Sequence, residues 1–204
     1  MSLSPDHYLV LANPSEQSFD HAIAQTYASV VASCGQSADI NDLNAMAFDP
    51  VLKDDERFDR GDKRSPWIEA ELARLSRCGV VVLIYPIWFG GPPAILKGYV
   101  DRVLGAHCGV GAFQSGAAQP ALRGRHLLSI STSGTSTEWL REHGQPHAVR
   151  EGFDLYIERG FGLRDAGHLN LDGIGRNMSS AHAAEALVKV AETAKSMCST
   201  LLAG

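Results

Sequence analysis

No C-x-x-C pair and no H-E-x-x-H motif occur in this chain, and Cys34, Cys78, Cys108 and Cys198 lie far apart from one another. Those absences argue against a bound metal, and scattered cysteines are expected to be free thiols of a reducing cytosol. Basic charge is also scarce: 18 Lys and Arg against 23 Asp and Glu give a net charge of −5. No cationic patch follows for nucleic acid or an anionic membrane surface. Apolar runs are too short to cross a bilayer, and the opening MSLSPDHY has no charged and then apolar leader, so a cytoplasmic protein is expected. Neither G-x-S-x-G nor G-x-x-x-x-G-K-[ST] is present, which argues against a serine hydrolase and a P-loop kinase. The stretch "GVGAFQSG" (109–116) begins like a dinucleotide fingerprint, but Gln114 takes the place of the third glycine.

What is present is alternation. Apolar residues make up 45% of the 204 and charged residues 20%, enough for one domain, 1–204, with a sizeable core. Apolar stretches at 7–12, 80–85 and 126–131 read as strands, and "VVVLIY" is apolar throughout, as a strand covered on both faces must be. Weaker strands are expected at 38–43 and within 163–170. Between them, Phe19, Ile23, Tyr27, Val30 and Cys34 recur at helical spacing behind a Ser18 cap, and Ser65-Pro66 opens a second helix over Ile68, Leu72 and Leu75. Helical rows return over 93–104 and 179–201, while 49–65 reads as a long loop. Five strands alternating with helices predict a doubly wound α/β fold of flavodoxin-like type, with parallel sheet order 2-1-3-4-5.

In such sheets ligands bind beyond the carboxyl ends of the strands, where the strand order reverses. Three loops leaving that edge are unusual: "NPSEQS" (13–18), "PIWFGGPP" (86–93) and "TSGTST" (132–137). Backbone N–H groups at a helix start, with hydroxyls from Ser15 and Ser18, make a natural phosphate cradle. Glycines at 90 and 91 let the backbone approach a flat ligand closely, with Trp88 and Phe89 as a wall.

The segment "YPIWFGGPPAILKGYVDRVL" (85–104) closely resembles the flavin loop and following helix of the NAD(P)H:quinone oxidoreductase family of DT-diaphorase type, including "PAILKG" at 93–98. "LVLANPSEQSFDHAIA", "DLNAMAFDPVL" and "LLSISTSGTSTEWL" resemble further family segments, so the likeness runs in order from about residue 7 to about residue 140. The resemblance implies a flavoprotein, with FAD ahead of FMN, and NAD(P)H as co-substrate. It also implies a quinone-like acceptor and a homodimer with active sites at the subunit interface. Carried over by position, Asn13, Ser18, Phe19 and Asp20 would hold the phosphate and ribityl portion. Pro86, Ile87, Trp88, Phe89 and Gly90 would contact the ring, and Ser131, Thr132, Ser133 and Gly134 would donate to its polar edge. Trp139 and His143 are the catalytic candidates, and Phe113, in the Gly/Ala-rich loop 105–120, is the candidate for covering the substrate face from a partner subunit.

This chain departs from the family pattern in placing Asn13 where many members have His, Ser133 for one glycine of a pair, and Trp139 for a tyrosine. The implied reaction is two-electron transfer from NAD(P)H through the flavin to the acceptor, by ping-pong kinetics. The rival reading is a flavin-binding regulatory subunit of the potassium-efflux ancillary type, or an electron carrier.

Overall fold

The computed structural model describes residues 6–57, 65–144 and 148–203. Part of the expected 49–65 loop, residues 58–64, lies outside them. Strands β1 (His7–Leu11), β2 (Ala38–Asp42), β3 (Val80–Pro86), β4 (His126–Thr132) and β5 (Arg164–Leu171) form one sheet in the order 2-1-3-4-5. Every neighbouring pair is parallel, as the alternation predicts. A bulge interrupts the β4–β5 pairing between Leu127 and Ser129, beside Gly167 at φ +101°.

The central strands show why an unbroken apolar run is needed. Leu9, Leu11, Val80, Val82 and Ile84 face a core built with α1 (Phe19–Ser33) and the final helix. Tyr8, Val10, Val81, Leu83 and Tyr85 face the other core, against α2 (Pro66–Leu75) and α3 (Ala94–Tyr99). Polar residues at alternate positions would leave one of these two layers unfilled.

Local signals place the helix starts. The Ser18 and Ser65 side chains accept from the backbone N–H of His21 and Ile68, and Pro66 occupies the first turn of α2. The helical rows expected over 93–104 divide: α3 ends at Tyr99, and Val100–Leu104 continues as a wider turn in which Gly105 N donates to Val100 O at 2.7 Å. Short helices α4 (Val110–Gln114), α5 (Thr137–Glu142) and α6 (Leu155–Phe161) fill stretches without strong periodicity, and α7 (Ser180–Ala203) closes the described chain. Within the expected 49–65 loop, Asp54–Glu56 forms a tight turn of 3-10 helix.

A polar knot sits inside the second core. Glu71, 2% exposed, accepts from Tyr8 Oη at 2.6 Å, Tyr99 Oη at 2.7 Å and Asn41 Nδ2 at 2.7 Å, and Arg74 donates to its other oxygen at 3.1 Å. It ties β1, β2, α2 and α3 together with every donor satisfied.

Gly98 meets a packing constraint on the "PAILKG" run in this structure. A Cβ there would lie 2.3 Å from Pro50 O and 2.4 Å from Pro50 Cβ, so α3 packs directly on the backbone after β2. Gly98→Ala is expected to destabilise the fold by about 1–3 kcal/mol through overpacking. Thermal unfolding checks this, and an unchanged midpoint would show that the loop yields freely.

Candidate functional site

The carboxyl ends of β1, β3 and β4 meet at the point where strand order reverses, and four loops converge there. Ile87 N donates to Thr132 O at 2.7 Å, joining the loop after β3 to the end of β4. Asp20, in the first turn of α1 and 1% exposed, accepts from Asn13 Nδ2 at 2.6 Å and from Thr132 Oγ1 at 2.9 Å. Asn13 Oδ1 in turn accepts from Ser15 N at 3.0 Å, which folds the first loop into a compact turn. Ser133 N donates to Leu171 O at 2.9 Å and Ile174 N to Ser133 O at 2.8 Å, drawing in the loop after β5.

Together these loops enclose a cleft of ≈ 670 Å³. Of the expected site residues, Asn13, Ser18, Phe19, Asp20, Pro86, Ile87, Trp88, Thr132 and Gly134 line it. Both carboxylate oxygens of Asp20 are taken up by protein donors, so this side chain joins two loops as well as bordering the cleft. Ile174, Gly175, Arg176 and Met178 line the cleft too and escaped the sequence reading. Their signal was available: "DGIGRNMS" also leaves a strand at the carboxyl edge, with the small and polar composition of the other three loops.

The run "WFGG" is a two-residue reversal. Trp88 N donates to Gly91 O at 2.9 Å and Gly91 N to Trp88 O at 3.2 Å, with Phe89 at φ +49° and Gly90 at φ +95°. Both central residues of such a turn must adopt positive φ, which glycine does freely and phenylalanine only at a cost on the order of 1 kcal/mol. The turn leaves Trp88 on the cleft wall and Phe89 fully exposed beyond it.

Other expected residues sit elsewhere. Ser131 is buried beneath the edge, its Oγ 2.7 Å from His168 Nε2, and His168 Nδ1 lies 2.6 Å from Asp154 Oδ2. Trp139 and His143 stack on each other along α5, ring centroids 4.0 Å apart, and neither lines the cleft. Phe113 packs against Tyr156 and Phe161 at centroid distances of 4.9 and 5.4 Å, in the wall of a separate apolar cleft of ≈ 460 Å³. Another cleft of ≈ 600 Å³, between β5 and α7, includes His126 and Asp165, near the starts of β4 and β5 at the other end of the sheet, and contains none of the loop residues. Lys97 is exposed and paired to Asp101 at 2.6 Å.

A family model described as "Flavodoxin-like fold" matches residues 6–194, and the chain belongs to that family. An uncharacterised NAD(P)H oxidoreductase of Haemophilus influenzae is 30% identical over 141 residues, 68% of this chain and 69% of that protein. NAD(P)H dehydrogenase [quinone] 1 of Rattus norvegicus is 28% identical over 69% of this chain, which spans only 59% of the rat protein. The solved NAD(P)H:quinone oxidoreductase from Methanothermobacter marburgensis superposes with a TM-score of 0.80 at 22% identity, covering 94% of each chain. General stress protein 14 of Treponema denticola, solved in complex with FMN, gives 0.65 at 19% identity over 97% of this chain and 99% of that one. The family resemblance drawn from "PIWFGGPPAILKG" is borne out.

Burial, partly offset by the hydrogen bonds from Asn13 and Thr132, holds the Asp20 carboxyl above its usual range. The folded chain therefore binds this proton more tightly than the unfolded chain. Asp20 then favours folding as pH falls toward the unfolded value of ~3.9, and opposes it as pH rises through the folded one. Asp20→Asn, uncharged throughout, lacks that dependence, so the wild type should gain stability relative to it between pH ~7 and ~4. Urea unfolding of both proteins at the two pH values measures the difference; a constant offset, or a loss in acid, contradicts the burial of a titrating carboxyl.

Proposed function

We propose that this chain is a flavin-dependent NAD(P)H:quinone oxidoreductase, with the flavin in the four-loop cleft. The observation that carries the reading is the cleft itself: loops from β1, β3 and β4, joined through Asp20 and the Ile87–Thr132 bond, border one cavity at the reversal of strand order. Relatives named as NAD(P)H oxidoreductases and quinone dehydrogenases, and a fold neighbour holding FMN, support it.

The residues present fit such a group. The first N–H groups of α1 and the Ser18 hydroxyl border the end of the cleft suited to a phosphate. A Cβ at Gly134 would meet no atom nearer than Ile174 O at 3.7 Å, so a side chain there would take up room in the cleft. Trp88 and Ile87 offer an apolar part of the wall, and Thr132 and Gly134 line the same cleft. Arg176, exposed at the cleft, adds positive charge for an anionic cofactor or co-substrate.

A flavin held there would supply the two-electron chemistry, while the protein binds, orients and shields. Trp88, in the cleft wall, would cover part of such a ring, and planar substrates sharing the remaining opening would bind in turn, which is the basis for expecting ping-pong kinetics. FMN and FAD share the ring, ribityl and first phosphate, so both suit these contacts. The reading includes a homodimer and a quinone-like acceptor. The apolar cleft near Phe113, bordered by exposed Val110 and Tyr156, is a surface that a second copy would cover.

The purified chain should be yellow, or become so with FMN or FAD, and mass analysis of the released cofactor identifies which. NAD(P)H oxidation with a simple quinone should give parallel double-reciprocal lines. A chain that remains colourless with both flavins ends this reading, and flavin retention without turnover favours the carrier or sensor. Gly90→Val puts a branched residue at φ +95° in the turn beside Trp88 and should weaken flavin retention by about tenfold or more. Fluorescence titration measures it, and unchanged affinity removes the "WFGG" turn from the site.

A further inference from the structure

The four cysteines, scattered in the sequence, sort by face of the sheet. Cys78 and Cys108 belong to the core under α2 and α3. Cys198 is buried where α7 covers the other face, and Cys34 caps the end of α1, which packs on that same face. All four are free thiols. Cys34 is exposed and Cys198 only 2% exposed, so one member of this second pair meets solvent and the other does not.

Contacts around the pair hold its two elements together. Gln36 Nε2 donates to Cys198 O at 3.0 Å, which pins the segment just after Cys34 to the turn of α7 that carries Cys198. Ser37 N donates to Asp6 Oδ2 at 2.8 Å, which anchors the same segment beside the start of β1. Cys198 Sγ lies 3.7 Å from His7 Nε2. The Gln36 amide places the hydrogen on that ring: its NH2 faces a carbonyl, so its Oε1 faces His7 Nε2 at 2.7 Å, and Nε2 carries the hydrogen. The buried sulfur thus has a ring N–H beside it, able to steady negative charge. Burial, and after it the Cys34 thiol alongside, raise the Cys198 thiol to about 11, which puts the two sulfurs within reach of each other's hydrogen and charge. Cys34 also has room to turn: at the left-handed Gly35 that follows, φ +76°, a Cβ would meet no atom within 4 Å.

We propose that Cys34 and Cys198 are a reversible thiol–disulfide pair, oxidised by hydrogen peroxide, that ties α1 to α7 at the edge of the sheet opposite the cleft. The exposed Cys34 sulfur attacks the peroxide, the O–O bond breaks, and a sulfenic acid and water form. Cys198, shielded from the oxidant, then bonds through its sulfur to the Cys34 sulfur, and the sulfenic hydroxyl leaves with the Cys198 proton as a second water. Two thiols and one peroxide give one disulfide and two waters. A dithiol reductant reverses the bridge by exchange and is itself oxidised to a disulfide. The pair needs no flavin and stands apart from the reading of the cleft.

The test is treatment of the purified protein with a few equivalents of hydrogen peroxide, then acid quenching, alkylation of the remaining thiols and peptide mass analysis. The expected product is two hydrogens lighter, carries a cross-linked Cys34–Cys198 peptide with Cys78 and Cys108 alkylated, and reverts fully with dithiothreitol. Its melting midpoint should rise by roughly 5 °C or more, because the bridge closes a long loop of the unfolded chain. Cys34→Ser, at an exposed position that leaves the core untouched, should keep Cys198 reduced at the same dose. Cys198→Ala should leave Cys34 as a sulfenic acid that dimedone traps. Four alkylated thiols after peroxide, a bridge between any other cysteines, or Cys34 carried on to sulfinic acid with Cys198 still reduced would each overturn the pair.

Discussion

One buried carboxylate holds the working edge of this protein together. Asp20 belongs to the first turn of α1, yet its oxygens grip Asn13 on the preceding loop and Thr132 at the end of β4. Withdrawing an ionisable group from water is costly unless its oxygens are satisfied, and here both are. Loops that leave separate strands have no other shared backbone to hold them at a set distance. The clasp makes the separation between the first and fourth loops a fixed dimension of the molecule, and the Ile87–Thr132 bond fixes the third against the same residue. Thr132 is therefore the common anchor of the edge: its backbone holds one loop and its hydroxyl another.

The layers behind that edge are stiff for the same reason. Strand β3 sends alternate side chains into two separate cores, so it cannot slide without disturbing both. The knot around Glu71 locks β1, β2, α2 and α3, and Gly98 lets α3 rest on the backbone that follows β2. Rigid support of this kind is what allows loops, with few regular hydrogen bonds of their own, to hold a constant shape.

Much of this was legible in the sequence, because the relevant signals are local. Ser18, Ser65 and Pro66 announce helix starts, "VVVLIY" announces a doubly covered strand, and "PIWFGGPP" marks a loop that is neither strand nor helix. What stayed hidden depends on groups far apart in the chain. Asp20 and Thr132 are 112 residues apart, and no local pattern could pair them. The loop carrying Arg176 was passed over because β5 is weakly apolar and its end was hard to see. The left-handed Phe89 was invisible, since phenylalanine normally avoids that conformation and only the closed reversal around it imposes it. His21 read as one more polar residue on a helix until β2 brought Asp42 against it.

The bulge in β5 has a bearing on what can pair with the edge of the sheet. β5 is one of the two edge strands of the sheet, β2 being the other, and its backbone would be a template for another strand to add on. The bulge and the left-handed Gly167 break its regular spacing, and Arg164 and Asp165 stand exposed at its start. A neighbouring strand would lose register there and meet charge, so addition of a strand at the β5 edge is disfavoured. An edge that would otherwise invite pairing is thereby closed by its own irregular backbone and its charge.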